Sequence, residues 1–540
     1  MKVFTILLAF TSIITLYSSD VGIAVANLQQ KNYSSTSFFV KTFAELKISE
    51  ATGKVLLQTG ITSLDNVIIE HGVTSIRPLF KVNNGNHDLF IKLGMNRIYL
   101  FESKDRDIVD IDKAVETVTS SGDVEFSELN FIGHSAGVKE IVTKKEAADE
   151  IPSDEMFYKQ WYLMNTGYVN SSGGSSPKIG ADINMLRAWE VESGSDSIVV
   201  AILDSGIKDD HPDIRQRMWI NKDEIPGNDI DDDFNGYVDD IKGWDFAYDD
   251  RKASDGFGHG TNIATVIGAS TDNKIGFAGV DRNCKLMNCK NLNADNSGEY
   301  SWWSESIKYA VDNGAHIINM SEGGEDPSRI LKTAIQYALE SDVMVVAAMM
   351  NKGDNKDYFP AVYDGVFAVG ATDTDDRRCK RFSWGGGSCW GNHIAVVAPG
   401  NKIYGLDFED DDNYEVYWSG TSQSTAIVSG LAALLLAQDR GRTYLDLQQI
   451  IRLSSKDLVG DPREDQPGWD PYYGYGRVDG YSALTFGKDP GELFEMQEKK
   501  VEKEEKEEKQ EVKKETERQP GDFEYDEQTK SKIPQPSKPK

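Results

Sequence analysis

The chain has few basic residues for its length. Its 540 residues include 58 Lys and Arg against 88 Asp and Glu, which gives a formal net charge of −30. Because a nucleic-acid-binding protein needs a basic face, this deficit argues against DNA or RNA as a partner. An acidic chain of this kind is better suited to binding hard cations. Its length indicates two to four domains.

Long hydrophobic runs are scarce, and the clearest one lies at the N-terminus. It extends from Val3 to about Leu16, which is shorter than the roughly 20 residues that a membrane-spanning helix needs. Lys2 precedes this run, and an A-x-A-like sequence follows it at residues 24–26. This order predicts a signal peptide over residues 1–26, and hence a protein that is secreted or lies in the secretory pathway. No later segment looks long enough to span a membrane, so no transmembrane segment is expected.

Cysteine is rare as well, with four in the whole chain. An even number in an oxidising compartment permits disulfide bonds, and the local pairings are Cys284 with Cys289 and Cys379 with Cys389. Three connectivities are possible, and four unpaired buried thiols are an alternative. Because no C-x-x-C pair is present, the spacing makes a poor zinc site.

Changes in composition divide the rest of the chain into four parts. Residues 36–137 alternate short β-rich runs with a helical segment and predict a small α+β domain. Residues 138–156 are charged, lack a core pattern and predict an exposed, cleavable linker. From 157 to 485, buried-strand runs alternate with helical ones, which predicts an α/β domain with a parallel β-sheet covered by helices on both faces. Residues 486–540 are rich in Glu and Lys, then in Pro, and predict a disordered tail.

Four polar residues stand at the ends of predicted elements in the α/β region. Asp204 ends the aliphatic strand of "SIVVAILDSG", at the edge where parallel sheets build their sites. His259 lies between two glycines in "FGHGTNIATVIGAS", and Asn351 follows the buried strand of "VMVVAAMMNKGDN". Ser422 stands in the first turn of the apolar helix of "SGTSQSTAIVSGLAALLLAQ", beside its backbone N–H groups. Taken singly, each has an ordinary structural explanation, such as a turn residue or a helix N-cap.

Taken together, these segments resemble the subtilisin-like serine proteases, or subtilases. The matching motifs are "DSGI" followed by "DHPDI", "GHGT", "IINMSEGG", "NKGDN" and "SGTSQSTAIVSG". "QWYLMNTG" and "YGYGRVDGYSAL" resemble the usual opening and close of the catalytic domain, so the resemblance covers roughly residues 157–485. The preceding α+β domain, which ends "DVEFSELNFIG", resembles the inhibitory prodomain of these enzymes. The resemblance implies a serine endopeptidase that is made as a zymogen.

The resemblance also assigns roles to the four polar residues. Ser422 would attack the scissile carbonyl, with His259 as the base and Asp204 holding the imidazole. The Asn351 amide and the Ser422 backbone N–H would bind the oxyanion. Two further segments, "NSGEY" and "SEGG", resemble the strands that bind substrate as an added strand. The substrate-binding residues implied in this way are Ser297, Gly298, Glu299, Tyr300, Trp303, Ser321, Glu322 and Gly323.

Two carboxylates in these segments predict a substrate preference. Glu299 and Glu322 would favour basic or polar residues upstream of the scissile bond, and Tyr300 and Trp303 would add cation–π contacts to Lys or Arg. The alternative is that both glutamates face solvent, where screening leaves them little effect. Proteins or peptides as substrates and the chain's own prodomain as inhibitor are the expected partners, and a monomer is expected.

The chain departs from the subtilase pattern at three positions. Asn262 stands where a histidine is usual, Ala426 where a proline is usual, and Met350 where a small residue is usual. None of these changes removes a reacting group, but Met349 and Met350 would narrow the pocket for the residue before the scissile bond. A catalytically inactive scaffold on the same fold is therefore an alternative.

A second motif, "FIGHSAG" at residues 131–137, fits the G-x-S-x-G nucleophile elbow of α/β-hydrolases. It would make Ser135 the nucleophile of an esterase. However, charged, linker-like residues follow the motif and no HGGG-type oxyanion motif precedes it. Chance is the better explanation of this match.

The acidic run "GNDIDDDFNGYVDDIKGWDF" predicts a Ca²⁺ site. Its oxygen-bearing side chains have a spacing like the first half of an EF-hand loop. Clustered carboxylates repel one another unless a cation lies among them, and a solvated acidic loop is the alternative. The ligands predicted here are Asp231, Asp233, Asn235 and Asp239. Separately, Asp213 and Asn273 resemble parts of the calcium site that is common in subtilases, so Ca²⁺ is the expected cofactor.

Overall fold

A computed structural model of the chain describes residues 31–46, 49–50, 57–81, 85–104, 106–141, 151–167 and 176–487. The predicted signal peptide and nearly all of the predicted tail lie outside these residues. Within the described ranges, no helix has both the length and the apolar character that crossing a membrane would require.

The N-terminal part of the described chain is an α+β unit. Its strands are β1 (Tyr33–Thr42), β2 (Ser49–Glu50), β3 (Leu57–Gln58), β4 (Ser75–Pro78), β5 (Ile98–Glu102) and β6 (Val124–Ser135). Its helices are α1 (Thr62–His71), α2 (His87–Lys92) and α3 (Ile111–Ser120), with a 3-10 turn at Met95–Arg97. Four strands form an antiparallel sheet in the order β6-β1-β5-β4, and β2 pairs with β3.

The region that follows is built around a seven-stranded sheet. The strands of this region, not all of which belong to that sheet, are β7 (Val138–Ile141), β8 (Val199–Asp204), β9 (Gly243–Asp245), β10 (Lys285–Lys290), β11 (Ser297–Glu299), β12 (Ile317–Met320), β13 (Glu322–Gly323), β14 (Met344–Ala348), β15 (Phe367–Thr372), β16 (Ile394–Pro399), β17 (Ile403–Tyr404) and β18 (Val416–Ser419). Its helices are α4 (Met185–Trp189), α5 (His259–Gly268), α6 (Tyr300–Asp312), α7 (Arg329–Glu340), α8 (Thr421–Gln438), α9 (Tyr444–Ser454) and α10 (Gly480–Thr485), with a 3-10 turn at Phe157–Lys159. The large sheet has the order β16-β15-β14-β12-β8-β10-β9 and is parallel throughout.

Both faces of this sheet are covered, as its hydrophobic strands require. Side chains alternate along a strand, so Val200 and Ile202 of β8 pack into the core that contains α5 and α8, while Ala201 and Leu203 pack into the core that contains α6 and α7. The helix α8 is buried along almost its whole length. The predicted α/β class, with helices on both faces of a parallel sheet, is confirmed.

The N-terminal unit packs against α6 and α7. One face of its sheet, including Phe38 of β1, packs on its own helices, whereas Phe39 on the opposite face joins the core that contains α6 and α7. Polar contacts border this apolar interface. Arg77 forms an ion pair with Glu305 of α6, and Glu128 accepts a hydrogen bond from the Ser328 hydroxyl at the start of α7. The two units therefore share one of the hydrophobic cores.

The prediction of disulfide bonds is wrong, because all four cysteines are free and buried. Cys284 and Cys289 are five residues apart along β10 and its first flanking position, so their side chains lie on opposite faces of the sheet and in different cores. Cys379 packs in a small separate cluster with Phe382, while Cys389 lies in the core under α6 and α7.

Candidate active site

The first part of the site is a buried pair of side chains at the carboxyl edge of the large sheet. Asp204 is the last residue of β8 and His259 is the first residue of α5. The His259 Nδ1 atom lies 2.8 and 2.9 Å from the two carboxylate oxygens of Asp204. Both side chains are inaccessible to solvent, and Trp418 packs edge-on against the imidazole at 5.1 Å. The carboxylate therefore fixes the orientation of the ring and leaves Nε2 facing away from it.

The nucleophile predicted from the sequence lies at the start of α8. The Ser422 hydroxyl donates a hydrogen bond to the carbonyl of Ser321 at 3.0 Å. The His259 Nε2 atom is buried and has no hydrogen-bond partner in the part of the chain that the structure describes. The serine and the histidine thus face the same site without being hydrogen-bonded to each other.

A segment of the N-terminal unit occupies this site. The strand β6 lies between β11 and β13 and pairs with both in antiparallel register. On one side Gly133 is opposite Gly298, and on the other His134 is opposite Gly323. The pairing continues beyond the strand, because the Ala136 N–H donates to the Ser321 carbonyl at 2.8 Å. The segments "NSGEY" and "SEGG" therefore hold a segment of this chain, β6, as an added strand.

The bond between Ala136 and Gly137 lies at the nucleophile. The Ser422 N–H donates to the Ala136 carbonyl oxygen at 3.2 Å. A Cβ placed on Gly420 would lie 2.2 Å from that oxygen and 2.9 Å from the Asn351 Nδ2 atom, so the glycine leaves room for the carbonyl beside the amide. Nδ2 is buried without a hydrogen-bond partner among the described residues, while the Asn351 Oδ1 atom accepts from the Thr421 N–H at 2.9 Å. The Ser422 N–H thus donates to this carbonyl, while the Asn351 amide lies close to it without a hydrogen bond.

The chain continues through the site on the other side of this bond. A Cβ on Gly137 would lie 2.9 Å from His259 Nε2, which shows how closely the backbone passes the imidazole. The next four residues form β7, which pairs antiparallel with β18 from Val138 opposite Ser419 to Ile141 opposite Val416. The sequence predicts an exposed linker here, and its first residues instead form a strand because β18 offers them a free edge.

The predicted substrate-binding carboxylates are not exposed in a cleft. Glu322 is fully buried, where its Oε1 atom accepts from Asn291 Nδ2 at 2.9 Å and its Oε2 atom has no partner among the described residues. Burial raises the pKa of Glu322 well above its usual value, and the nearby charge of Asp204 adds to the rise. Glu299 is partly buried and accepts from Asn130 of β6 at 2.5 Å, and burial raises its pKa as well. Neither group presents an exposed charge to the bound strand.

The aromatic pair beside the strand is also enclosed. Tyr300 and Trp303 are both fully buried and stack at a ring distance of 4.8 Å. Phe131 of β6 packs edge-on against Tyr300 at 5.9 Å, and no cation–π contact to either ring occurs within the described ranges. The pair forms an apolar wall in this structure.

The three departures from the subtilase pattern are accommodated without loss of a reacting group. Asn262 accepts from the Gln423 side chain at 3.0 Å and donates to the Ile403 carbonyl at 3.3 Å. Ala426 is buried inside α8. Met350 has a φ of 73°, a conformation that favours glycine, and lies 7% exposed beside the site.

The acidic loop brings together a set that differs from the predicted one. Carboxylate oxygens of Glu224, Asp231 and Asp233 lie within 4.8 Å of one another. Asn235 lies beside them and donates to Asp233 at 3.0 Å. Asp239 instead pairs with Arg251 and accepts from backbone N–H groups of residues 227–229. The all-oxygen donor set of the first three residues fits Ca²⁺.

The second predicted calcium position is built around Asp213. This side chain is buried, accepts from Asn273 Nδ2 at 2.7 Å and from the Phe277 N–H at 2.9 Å, and burial raises its pKa to about 7. Asp154 lies close by and accepts from the backbone N–H groups of Asp272 and Asn273. Sequence reasoning missed both Asp154 and Glu224, since neither belongs to the motif that drew attention to its neighbours.

Ser135 lies within β6, where Glu322 is its partner in the register. A nucleophile elbow requires a sharp turn between a strand and a helix, and the chain after Ser135 continues extended into β7. The motif "FIGHSAG" therefore lacks the structural context of an esterase site, and it coincides with the strand that fills the site around Ser422.

Comparisons with known proteins agree with this geometry. Residues 195–476 match the Subtilase family. The chain is 33% identical over 299 residues to the thermophilic serine proteinase of Bacillus sp. (strain AK1), covering 55% of this chain and 64% of that protein. It is 30% identical over 325 residues to thermitase of Thermoactinomyces vulgaris, covering 60% of this chain and all of thermitase. It is 32% identical over 324 residues to halolysin of Haloferax mediterranei, covering 59% of this chain and 55% of halolysin. The aligned region thus spans less than two thirds of two of these relatives and the whole of the third. The chain belongs to the subtilase family of serine endopeptidases.

Proposed function

We propose that the protein is a secreted, calcium-stabilised serine endopeptidase made as a zymogen, and that the Ala136–Gly137 bond is the first bond it cleaves. The observation that carries this proposal is the hydrogen bond from the Ser422 N–H to the Ala136 carbonyl oxygen, in a strand held on both sides. A substrate carbonyl in this position is the arrangement from which acyl transfer to a serine begins.

In the proposed reaction, the Ser422 hydroxyl first turns from the Ser321 carbonyl to His259 Nε2, which is free to accept its proton. The Ser422 Oγ atom then bonds to the Ala136 carbonyl carbon, and the carbonyl oxygen becomes an oxyanion that accepts from the Ser422 N–H and Asn351 Nδ2. Asp204 stabilises the imidazolium that forms. The carbon–nitrogen bond breaks as His259 delivers the proton to the Gly137 nitrogen, and water then hydrolyses the ester by the same steps.

The same chain segment supports the proposal of a zymogen. In the uncleaved chain β6 and β7 fill both sides of the site, so another peptide has no free strand edge to join. The shared core, the Arg77–Glu305 ion pair and the contact of Glu128 with Ser328 would keep the N-terminal unit bound after the bond is cut. We therefore propose that the N-terminal unit predicted over residues 36–137, cut after Ala136, acts as an inhibitory prodomain.

A fluorophosphonate probe followed by peptide mapping tests the enzymatic part of this proposal. We expect the probe to label Ser422 in the matured protein and to label the uncleaved chain weakly, since β6 covers the serine. The Ser422→Ala variant should not be labelled. Label on Ser135 would support the esterase alternative, and a folded, matured protein without any label would support an inactive scaffold.

For calcium, we propose that Glu224, Asp231 and Asp233 hold one ion and that Asp213 and Asn273, with Asp154 nearby, hold another. An ion bound to these carboxylates would neutralise their charge and hold the loops that carry them together. It takes no part in the proposed reaction. Support comes from the convergence of three carboxylates and from the burial of Asp213.

Secretion and the monomeric state remain predictions from the sequence. The signal peptide predicted over residues 1–26 supports secretion. N-terminal sequencing of the protein recovered from the culture medium would test it, since a chain retained in the cell with residue 1 intact would contradict secretion.

A further inference from the structure

The wall formed by Trp303 lies directly against one residue of the bound strand. Counting upstream from the Ala136–Gly137 bond, Gly133 is the fourth residue, and it pairs with Gly298 of β11. A Cβ added to Gly133 would lie 2.1 Å from the Trp303 Cη2 atom and 2.7 Å from Cζ2. Ordinary contacts between carbon atoms are about 3.5–4.0 Å. The indole therefore occupies the space that any side chain at this position would need.

This restriction is steric and does not come from the backbone of Gly133. The φ of Gly133 is not in the positive range that favours glycine, so an L-residue could adopt its extended conformation. On the opposite side, the Gly323 carbonyl oxygen would lie 2.9 Å from the added Cβ. The Gly323 carbonyl thus fills the space beside Gly133 that the indole does not occupy. The strand β6 cannot shift away from the ring without losing its pairing with β13.

The indole itself is held in place. It is fully buried in the first turn of α6 and stacks on Tyr300, whose hydroxyl donates to the Asp326 carbonyl at 3.1 Å. Behind it, a Cβ on Gly298 would lie 2.5 Å from the Trp303 Nε1 atom, so the backbone of β11 already touches the ring. A ring packed on several sides does not move aside for a new side chain without cost.

We propose that Trp303 is a specificity-determining residue that restricts the enzyme to substrates with glycine four residues upstream of the scissile bond. This inference rests on the proposed function, since it assigns the strand β6 to the substrate-binding position. It differs from the expectation that the two glutamates select basic residues. The substrate class is an extended peptide with glycine four residues upstream of the cut, which Gly133 provides in the protein's own sequence.

The test uses the full-length chain and measures cleavage of the Ala136–Gly137 bond by mass spectrometry. Adding a side chain by Gly133→Leu should slow this cleavage by about 10- to 100-fold, as expected for overpacking of a closed site. Gly133→Ala, which adds only the Cβ, should show a smaller decrease in the same direction. Adding Trp303→Leu to the Gly133→Leu chain should restore the cleavage rate to within about threefold of the wild type. Adding Trp302→Leu instead, the same change at the neighbouring position of α6, should not restore it.

The same variants in a Ser422→Ala background separate this inference from the proposed function. There the melting temperature replaces cleavage as the measurement, and Trp303→Leu should offset part of the decrease that Gly133→Leu causes. If the wild-type chain never cleaves itself, the proposed function fails, and the melting temperatures still decide the steric inference. If the wild type cleaves and Gly133→Leu cleaves at the same rate, or if Trp303→Leu gives no rescue, the role of Trp303 is overturned while the proposed function stands.

Discussion

The proposed reaction centre and the acidic loop are both built from polar side chains, but they are assembled in different ways. The reaction centre takes Asp204 from β8, His259 from α5 and Ser422 from α8, and the parallel sheet brings these distant segments to one edge. The acidic loop takes all its groups from a single stretch with few regular elements. In the reaction centre, the fold sets the positions of the three side chains. In the acidic loop, those positions depend on which nearby hydrogen-bond donors each carboxylate binds.

This difference shows where a sequence motif indicates the position of a functional side chain. Each residue of the proposed reaction centre lies at the end of a strand or in the first turn of a helix, so its position is fixed once the fold is known. In the loop, Asp239 has the spacing of a calcium ligand and yet pairs with Arg251, which no motif describes. Substitutions in the proposed reaction centre and removal of calcium from the loop would test this difference.

The largest effect is expected from Asp204→Asn. The amide would still contact the imidazole but would not stabilise its cation, so kcat should fall by about 10⁴-fold. The first-order rate of cleavage at Ala136–Gly137 in the intact chain measures this, since so slow a variant would not mature itself. Asp210→Asn is the control because the Asp210 side chain is 72% exposed. Equal losses in the two variants would remove Asp204 from the mechanism.

Asn351→Leu should lower kcat by about 10²–10³-fold, because one of the two oxyanion donors is lost. The value of KM should stay nearly constant, since the strand pairing that binds substrate is untouched. Asn355→Leu, an exposed neighbour, provides the matched control. A change in KM alone would show that Asn351 positions the substrate and does not stabilise the oxyanion.

Removal of calcium should lower the stability of the Ser422→Ala chain, in which autolysis cannot interfere. At a free Ca²⁺ concentration one hundred times the Kd, the expected loss on chelation is about 2.7 kcal/mol per site. Asp231→Asn should reduce the shift in melting temperature on chelation, whereas Asp239→Asn should leave the shift unchanged. The opposite ranking would show that the spacing of the motif, and not the observed cluster, identifies the ligands.

The smallest effect is expected from Glu322→Gln, and it concerns pH. Because the folded chain raises the pKa of Glu322 above its ordinary 4.5, the folded state retains a proton that the unfolded state releases. Stability therefore falls as pH rises above 4.5, and Gln removes this dependence. Melting of the Ser422→Ala chain at pH 5 and pH 8 should show a gain for Glu322→Gln at pH 8, with exposed Glu325→Gln as control. Parallel pH profiles in all three chains would contradict the raised pKa.

Much of the fold could be predicted from the sequence, because hydrophobic strands and helices alternate regularly. The four side chains proposed to react could be named because their motifs lie at the ends of these elements. What could not be predicted depends on contacts between distant segments. β7 forms only because β18 presents an edge, and Cys284 and Cys289 cannot pair because β10 directs them to opposite cores. Likewise, nothing in the sequence indicates that Trp303 packs against Gly133.

The central claim is that the chain cuts its own Ala136–Gly137 bond with Ser422, and mapping of new termini tests it most directly. Purified wild-type chain should yield one fragment that ends at Ala136 and another that begins at Gly137, while the Ser422→Ala chain prepared in the same way should stay intact at this bond. Cleavage at this bond in the Ser422→Ala chain, or a wild-type chain whose first cut lies elsewhere, would contradict the account.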